Sequence, residues 1–115
     1  MEHERVDGIL VSDESEHFTY RRLLVELVAK TRIPTIYAYR QLVDLGGLMA
    51  YSIDIGEVAR VNARQIVEIL KGANPGDMPF HQATKFQLVI NAQAARLFGL
   101  TVPPSLLSIA DEVIE

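Results

Sequence analysis

The sequence predicts an α/β fold built on one mainly parallel sheet. Its 115 residues suit a single domain, and the 49% share of hydrophobic residues is enough for a buried core. Short apolar runs alternate with longer segments of helical periodicity, a pattern typical of parallel strands joined by right-handed helical crossovers. The predicted strands are residues 6–11, 33–37, 48–51 and 86–90.

One predicted helix separates the first two strands. Residues 6–11 are short and apolar, and Gly8 allows close packing of the strand. A polar loop follows, in which Ser15 is predicted to cap a helix over about 18–30. Its predicted buried stripe comprises Leu23, Leu24, Leu27 and Val28.

The middle of the chain contains a short helix and the longest one. The short helix, over 39–45, is predicted to end at the glycine pair 46–47. Asp54 and Glu57 have the spacing of a capping box, which opens a helix over about 55–71. The predicted buried side of that long helix comprises Ile55, Val58, Ala59, Ile66, Val67 and Leu70.

The last third is predicted to hold one strand and two helices. Gly72 ends the long helix, and a connector rich in proline and glycine follows. Asn91 is predicted to cap a helix over 92–98, and a final helix starts at about Ser105. The predicted organisation is one α/β lobe: strand–helix units over 1–72, the connector over 73–83, and a C-terminal strand, helix and tail over 84–115.

Composition excludes several classes of function. Fifteen acidic against eleven basic residues, with no basic run, leave no electrostatic footprint for nucleic acid. The absence of cysteine excludes disulfides, thiolate metal sites and a cysteine nucleophile. The three histidines are scattered without ligand spacing, so neither a metal nor a cofactor is predicted. No phosphate-binding glycine motif and no nucleophile elbow occurs, so no enzyme is predicted.

Ligands of open α/β sheets bind beyond the carboxyl ends of the strands, and three loops meet that rule. Ser12 and Asp13 follow the first strand, where they can either hold an amine or hydroxyl of a small solute or form an ordinary helix cap. Tyr39, after the second strand, offers an aromatic face with a polar tip. Tyr51 and Ser52 come at the third strand, where Ser52 either caps the next helix or helps to bind a carboxylate.

Four stretches of this sequence, 33–40, 46–52, 84–91 and 100–115, resemble the C-terminal part of a bacterial family. These are the solute-binding proteins of ABC transporters related to the tryptophan-binding (TrpX-like) lipoproteins. The resemblance covers nearly the whole chain. It implies a Rossmann-like sheet, similar to the C-terminal lobe of a type I periplasmic-binding-protein fold, and a longer parent with two lobes around a ligand cleft.

The resemblance also implies a function and a cellular location. The parent would capture a small solute such as an amino acid and deliver it to a permease, without covalent chemistry. The loops at Ser12 and Ser52 would line the cleft. The family often carries Asp-Asn-Thr at the first of these loops, whereas this chain has Asp13-Glu14-Ser15, with one more acid. The parent is expected to be periplasmic or lipid-anchored outside the cytoplasm, although the charged N-terminus lacks the apolar core of a signal peptide.

Two other classes remain open at this point. A flavodoxin-like receiver or an enzyme would use Asp13 at the strand end, although it would need further acids and a lysine on neighbouring strands. A homo-oligomeric interaction module would follow from apolar surface left uncovered. We expect a homodimer, with exchange of the C-terminal segment as one route, and the alternative is a monomer whose tail folds back on its own sheet. The side chains expected to be partly exposed there are Leu100, Val102, Leu106, Leu107 and Ile109.

Overall fold

The protein is described here by a computed structural model that covers residues 5–115, so Met1, Glu2, His3 and Glu4 of the charged N-terminus lie outside it. Five strands form one sheet in the order β1-β2-β3-β4-β5. The elements in chain order are β1 (Ile9–Val11), α1 (Ser15–Thr19), α2 (Arg21–Thr31), β2 (Thr35–Tyr37), α3 (Arg40–Asp44), β3 (Met49–Ile53), α4 (Ile55–Leu70), a 3-10 turn (Pro75–Asp77), β4 (Phe86–Asn91), α5 (Ala92–Phe98), α6 (Pro104–Ile109) and β5 (Glu112–Ile114).

The sheet is mainly parallel, as the sequence predicts. β1 pairs with β2 in parallel, with Val11 opposite Tyr37, and β2 pairs with β3 in parallel, with Tyr37 opposite Ala50. β4 and β5 are also parallel. Between β3 and β4 the Asn91 N–H donates to the Leu48 carbonyl at 2.8 Å, which brings the end of β4 beside the start of β3. At the other ends of the two strands the Asp54 N–H donates to the Lys85 carbonyl at 3.4 Å, so these neighbours run in opposite directions. The alternation pattern did not predict that reversal.

The predicted helix over 18–30 is wrong in its start and its continuity. Two helices, α1 and α2, meet at Tyr20, whose backbone (φ −97°, ψ 24°) leaves the helical region. The residue preceding α1 is Glu14, which makes no side-chain cap bond. Ser15 is not a cap because it lies inside α1, where its hydroxyl donates to the Glu16 carboxylate at 3.3 Å.

The predicted C-terminal helix is present, and a fifth strand that was not predicted follows it. Helix α6 ends at Ile109, and β5 pairs with β4 of its own chain. Asp111 fixes the start of that pairing from both directions. Its backbone N–H donates to the Leu88 carbonyl at 2.9 Å, and its carboxylate accepts the Leu88 N–H at 2.7 Å.

The hydrophobic core lies between β1–β3 and the helices α2 and α3. Tyr37 is 2% exposed, and burial raises the pKa of its hydroxyl to about 12. The stripe predicted for the first helix is only partly right, because Leu23 and Leu27 are exposed while Val25 replaces them in the core. The buried members of the cluster are Val11, Val25, Val28, Tyr37, Leu42, Val43, Ala50 and Val89.

The chain divides into two compact units. One comprises residues 1–52 and 87–115, and the other comprises residues 53–86. The second unit consists of α4 and the connector, and no residue of α4 is buried. The predicted buried side of this helix is therefore wrong for this chain: Ile55, Ile66, Val67 and Leu70 are 44%, 57%, 47% and 81% exposed.

Two of the predicted helix caps are confirmed. The Asn91 Oδ1 accepts the Ala94 N–H at 2.9 Å and caps α5. The Asp54 Oδ1 accepts the Glu57 N–H at 3.1 Å and caps α4. Both carboxyl and amide caps therefore satisfy a backbone donor that the helix itself cannot pair.

The glycine pair before β3 fulfils two different requirements. Gly46 has φ +109°, a conformation that disfavours L side chains, and it turns the chain out of α3. Gly47 is required by packing, because a Cβ there would lie 2.6 Å from Cε2 of Tyr37 and 2.8 Å from the Leu42 carbonyl oxygen. The Tyr37 ring thus occupies the space that a side chain at position 47 would need.

Candidate functional site

The loop after β1 is built around Ser12 and His17. The His17 Nδ1 lies 3.0 Å from the Ser12 carbonyl oxygen and 3.4 Å from its hydroxyl. Ser12 is half-buried, while Asp13 beside it is exposed. The imidazole thus folds the start of α1 back onto the loop, which leaves the Asp13 side chain at the surface beyond the end of β1.

Tyr39 joins the loop after β2 to the loop after β1. Its hydroxyl donates to the Asp13 carbonyl at 2.7 Å, across 26 residues of sequence. Tyr39 also precedes α3 with an extended backbone and makes no side-chain cap bond to that helix. Two of the predicted site residues therefore meet directly at the carboxyl ends of neighbouring parallel strands, where ligands of α/β sheets bind.

An aromatic and cationic cluster extends this contact. The Phe18 ring lies 5.3 Å from the Tyr39 ring, centroid to centroid, in an edge-to-face arrangement of 68°. The Arg21 guanidinium lies 4.7 Å from the Phe18 centroid and donates to the Phe18 carbonyl at 2.9 Å. Asp13, Tyr39, Phe18 and Arg21 thus form one connected series along the ends of β1 and β2.

Tyr51 and Ser52 lie in β3 rather than in a loop after it. The strand extends to Ile53, and the pairing of Tyr37 with Ala50 places both residues level with the chain that follows β2. Ser52 is 6% exposed and Tyr51 is 55% exposed, so successive side chains point to opposite faces of the sheet. The prediction that Ser52 follows the strand is wrong, because β3 extends to Ile53. Of the two residues considered as caps of the next helix, Asp54 is the cap and Ser52 is not.

Arg40, the first residue of α3, makes contacts outside these loops. It forms a bidentate ion pair with Glu112 of β5, at 2.5 and 2.8 Å. The hydrogen bonds from Arg40 lower the pKa of Glu112, and those to Glu112 raise the pKa of Arg40. Arg40 therefore ties α3 to β5.

Two grooves in the described part of the chain are lined mainly by residues outside these loops. The larger, of about 380 Å³, lies on one face of β1–β3 near their amino ends and is lined by Leu10, Ile36 and Met49 among others. A second, of about 240 Å³, lies along α2 beside Leu23 and Leu27. Between residues 5 and 115 no three histidine or acidic side chains come together to hold a metal ion, and no helix is long and apolar enough to cross a membrane.

Sequence reasoning missed three residues of the site. His17 was considered only as one of three scattered histidines, and Phe18 and Arg21 lay within the helix predicted over about 18–30. The break at Tyr20 changes their directions and brings Phe18 to Tyr39. The spacing of three between Phe18 and Arg21 was the available signal for their contact.

A mainly parallel sheet with adjoining polar and aromatic side chains at its strand ends is the arrangement of α/β domains that bind small molecules. The sequence model of the ABC transporter substrate binding protein family matches residues 2–114. The chain belongs to this family. The resemblance to the TrpX-like proteins is thereby confirmed, together with the periplasmic-binding-protein type of fold.

Three solved structures show the same fold. A conserved domain protein from Vibrio cholerae is 23% identical, with a TM-score of 0.86 over 93% of this chain and 36% of that one. The ABC domain from Streptococcus pneumoniae in complex with L-Trp is 30% identical, with a TM-score of 0.86 over 96% of this chain and 38% of that one. A ligand-free, open substrate-binding protein with adhesive properties from Clostridium difficile is 19% identical, with a TM-score of 0.65 over 96% and 37%.

The present chain therefore spans less than two fifths of the length of each of these proteins. The search of curated proteins gave no match. The family is one of substrate-binding proteins.

Proposed function

We propose that this chain supplies one wall of the solute-binding cleft of an ABC transporter substrate-binding protein. The observation that carries the proposal is the hydrogen bond from the Tyr39 hydroxyl to the Asp13 carbonyl, which fixes two strand-end loops against each other. A pre-formed wall of this kind reduces the entropy lost when a ligand binds. The proposed binding residues are Ser12, Asp13, Tyr39, Tyr51 and Ser52.

The proposed solute is small and is an amino acid or a close analogue. The relative from Streptococcus pneumoniae, whose structure holds L-Trp, shares 30% identity with this chain. The faces of Tyr39, Phe18 and Tyr51 offer an apolar surface, and the Asp13 carboxylate offers an acceptor for an amine. Binding by desolvation and a few fixed polar groups needs no catalytic residue, and we propose none.

In the whole protein, closure of two lobes around the solute would present the loaded form to a permease outside the cytoplasm. An isolated wall supplies only part of the contacts and cannot close. We therefore expect this chain by itself to bind L-tryptophan only in the millimolar range or more weakly.

Nuclear magnetic resonance titration with L-tryptophan tests the proposal, because it detects weak binding residue by residue. The expected result is progressive chemical-shift change confined to the loops that follow β1 and β2 and to Tyr51. Tyr39→Phe removes only the hydroxyl and should reduce these shifts, while Tyr20→Phe serves as the matched control at an exposed tyrosine. Micromolar affinity in calorimetry, or shifts located at a different surface, would contradict the proposal.

A longer version of the protein gives the stricter test. If alanine at all five proposed binding residues left the affinity of a two-lobed form unchanged, the cleft would have to lie elsewhere. Loss of binding without loss of thermal stability is the expected outcome.

A second proposal is that this chain self-associates as a homodimer. The observation in its favour is apolar surface within the first unit: Leu10, Tyr20, Leu23 and Leu27 are 77%, 63%, 54% and 50% exposed. Burial of several such side chains is worth roughly 1.5–3 kcal/mol each. Exchange of the C-terminal segment would have to replace the Asp111–Leu88 hydrogen bonds that β5 makes within its own chain. Light scattering at tens of micromolar decides the question, since the mass of a monomer there excludes the dimer.

A further inference from the structure

The charge of Arg21 is stabilised by an aromatic ring and a carbonyl oxygen rather than by an acidic partner. Its guanidinium stacks on Phe18 and donates to the Phe18 carbonyl. The ion pairs within residues 5–115 involve Arg40 and Arg60, and none involves Arg21. Arg40, by contrast, is neutralised by Glu112 and Asp44.

The position of Arg21 also favours an anion. It is the first residue of α2, a helix of 11 residues whose N-terminal N–H groups carry partial positive charge. It lies at the end of the series Asp13, Tyr39, Phe18, Arg21, at the same end of the sheet as the candidate site. The guanidinium has five N–H donors in a planar fork that matches a carboxylate, and the Phe18 carbonyl accepts from one of its nitrogens.

The two ends of this series have opposite charges, with apolar rings between them. Asp13 provides an exposed carboxylate at one end, and Arg21 provides the cation at the other. An α-amino acid carries its ammonium and its carboxylate on one carbon, so it can place its carboxylate at Arg21 and pack its side chain along the rings of Phe18 and Tyr39. The ring of Phe18 holds Arg21 in place by cation–π attraction, which leaves the charge available for a ligand.

We propose that Arg21 binds the carboxylate of the solute and that Phe18 positions it. This inference rests on the proposed solute-binding function and names the group that selects an amino acid over a simple amine. A purely structural alternative exists, in which Arg21 only fastens α1 to α2 across the break at Tyr20. The alternative predicts no dependence on the ligand's carboxylate.

The test compares L-tryptophan with tryptamine, which has the same ring and amine but lacks the carboxylate. In a weak-binding titration the initial slope of the chemical shift against ligand concentration is inversely proportional to the dissociation constant. Arg21→Gln should reduce the slope for L-tryptophan by about tenfold, the loss typical of one charge-assisted hydrogen-bonded pair. The slope for tryptamine should stay unchanged.

Arg22→Gln is the matched control, because Arg22 is an adjacent, exposed arginine whose removal changes the net charge equally. It should leave both slopes as they are in the wild type. Arg21→Lys keeps the charge without the planar fork and should give an intermediate slope for L-tryptophan. Thermal melting of each variant shows whether the fold is kept.

A direct readout does not depend on any variant. The Nε–Hε resonance of Arg21 in the wild-type chain should move on addition of L-tryptophan and stay in place on addition of tryptamine. Equal slopes for L-tryptophan in Arg21→Gln and the wild type, or an Arg21 resonance that does not respond, overturn the role of Arg21 alone. No response of the wild-type chain to either compound overturns the proposed function together with this inference.

Discussion

The two units of the molecule differ in how their helices are used. In the unit formed by residues 1–52 and 87–115, helices α2 and α3 bury valine and leucine side chains against the sheet. In the unit formed by residues 53–86, α4 has 16 residues, the most of any helix described, and buries none of them. The two kinds of helix have similar apolar periodicity in sequence. An apolar stripe therefore predicts that one side of a helix is suited to packing, but it does not identify the surface against which that side packs.

Truncation of one leucine in each unit should give the largest difference in stability between the two units. Leu42 is 1% exposed, and Leu42→Ala should lower the free energy of unfolding by about 2–5 kcal/mol, because it leaves a cavity in the core. Leu70 is 81% exposed, and Leu70→Ala should change it by no more than about 0.5 kcal/mol. Urea denaturation followed by circular dichroism measures both.

A large cost for Leu70→Ala would show that the apolar side of α4 is covered in solution. Repeating the measurement at several protein concentrations would then show whether a second copy covers it, because only an association depends on concentration.

The two helix caps give a smaller contrast. Asn91→Ala removes a buried cap of α5 and a longer hydrogen bond of 3.4 Å to the Val43 carbonyl, and should lower global stability by about 1–2 kcal/mol. Asp54→Ala removes the cap of α4 and should act mainly locally, because this helix buries no side chain. Amide hydrogen exchange distinguishes the two, since Asp54→Ala should speed exchange at Glu57 and its neighbours with little change in the slowest amides of the sheet. Faster exchange throughout β4 in Asp54→Ala would contradict this separation.

The smallest expected effect is that of the Arg40–Glu112 pair. Both side chains are partly exposed, at 39% and 44%, so a double-mutant cycle with Arg40→Gln and Glu112→Gln should give a coupling below about 1 kcal/mol. Because the folded-state pKa of Glu112 is lowered, its contribution is present above the ordinary glutamate value of 4.5 and is lost as the pH falls through the lowered value. The coupling should therefore shrink in acid and in high salt. A coupling that grows on acidification would refute the assignment.

The sequence was sufficient for the features that depend on local chemistry. Alternation of apolar runs and helical segments predicted the parallel pairing of β1 with β2, and side-chain acceptors predicted the caps at Asp54 and Asn91. Strand β5 was missed because its three residues are too few for a period of two to be recognised, and Asp111 makes its defining bonds with a residue 23 positions away. The reversal between β3 and β4 was missed because 32 residues separate them, Asp54 to Lys85, and direction cannot be inferred from alternation over such a distance.

The residues of the candidate site could likewise be predicted where they depend on local sequence and not where they depend on distant contacts. Ser12, Asp13 and Tyr39 could be selected from their places after predicted strands, and the structure brings Tyr39 onto Asp13. Phe18 and Arg21 could not, because their place at the site depends on the contact of Phe18 with Tyr39 and on the break between α1 and α2. Tyr20 carries no glycine or proline signal for such a break. The chemistry of a loop is therefore easier to predict than the geometry of its neighbours.

The turn before β3 has a consequence for the handedness of the chain. Gly46 has φ +109°, in the half of conformational space that D-amino acids prefer, while Gly47 is constrained by the Tyr37 ring beside it. At Gly46 the backbone therefore has a conformation that favours a D-residue over an L-residue. A single D-alanine at that position fits the native turn and lowers the conformational entropy of the unfolded chain, so it should stabilise the fold. L-alanine does not fit the turn. The two adjacent glycines are therefore required for different reasons: Gly46 because of its backbone conformation, and Gly47 because the Tyr37 ring leaves no space for a side chain.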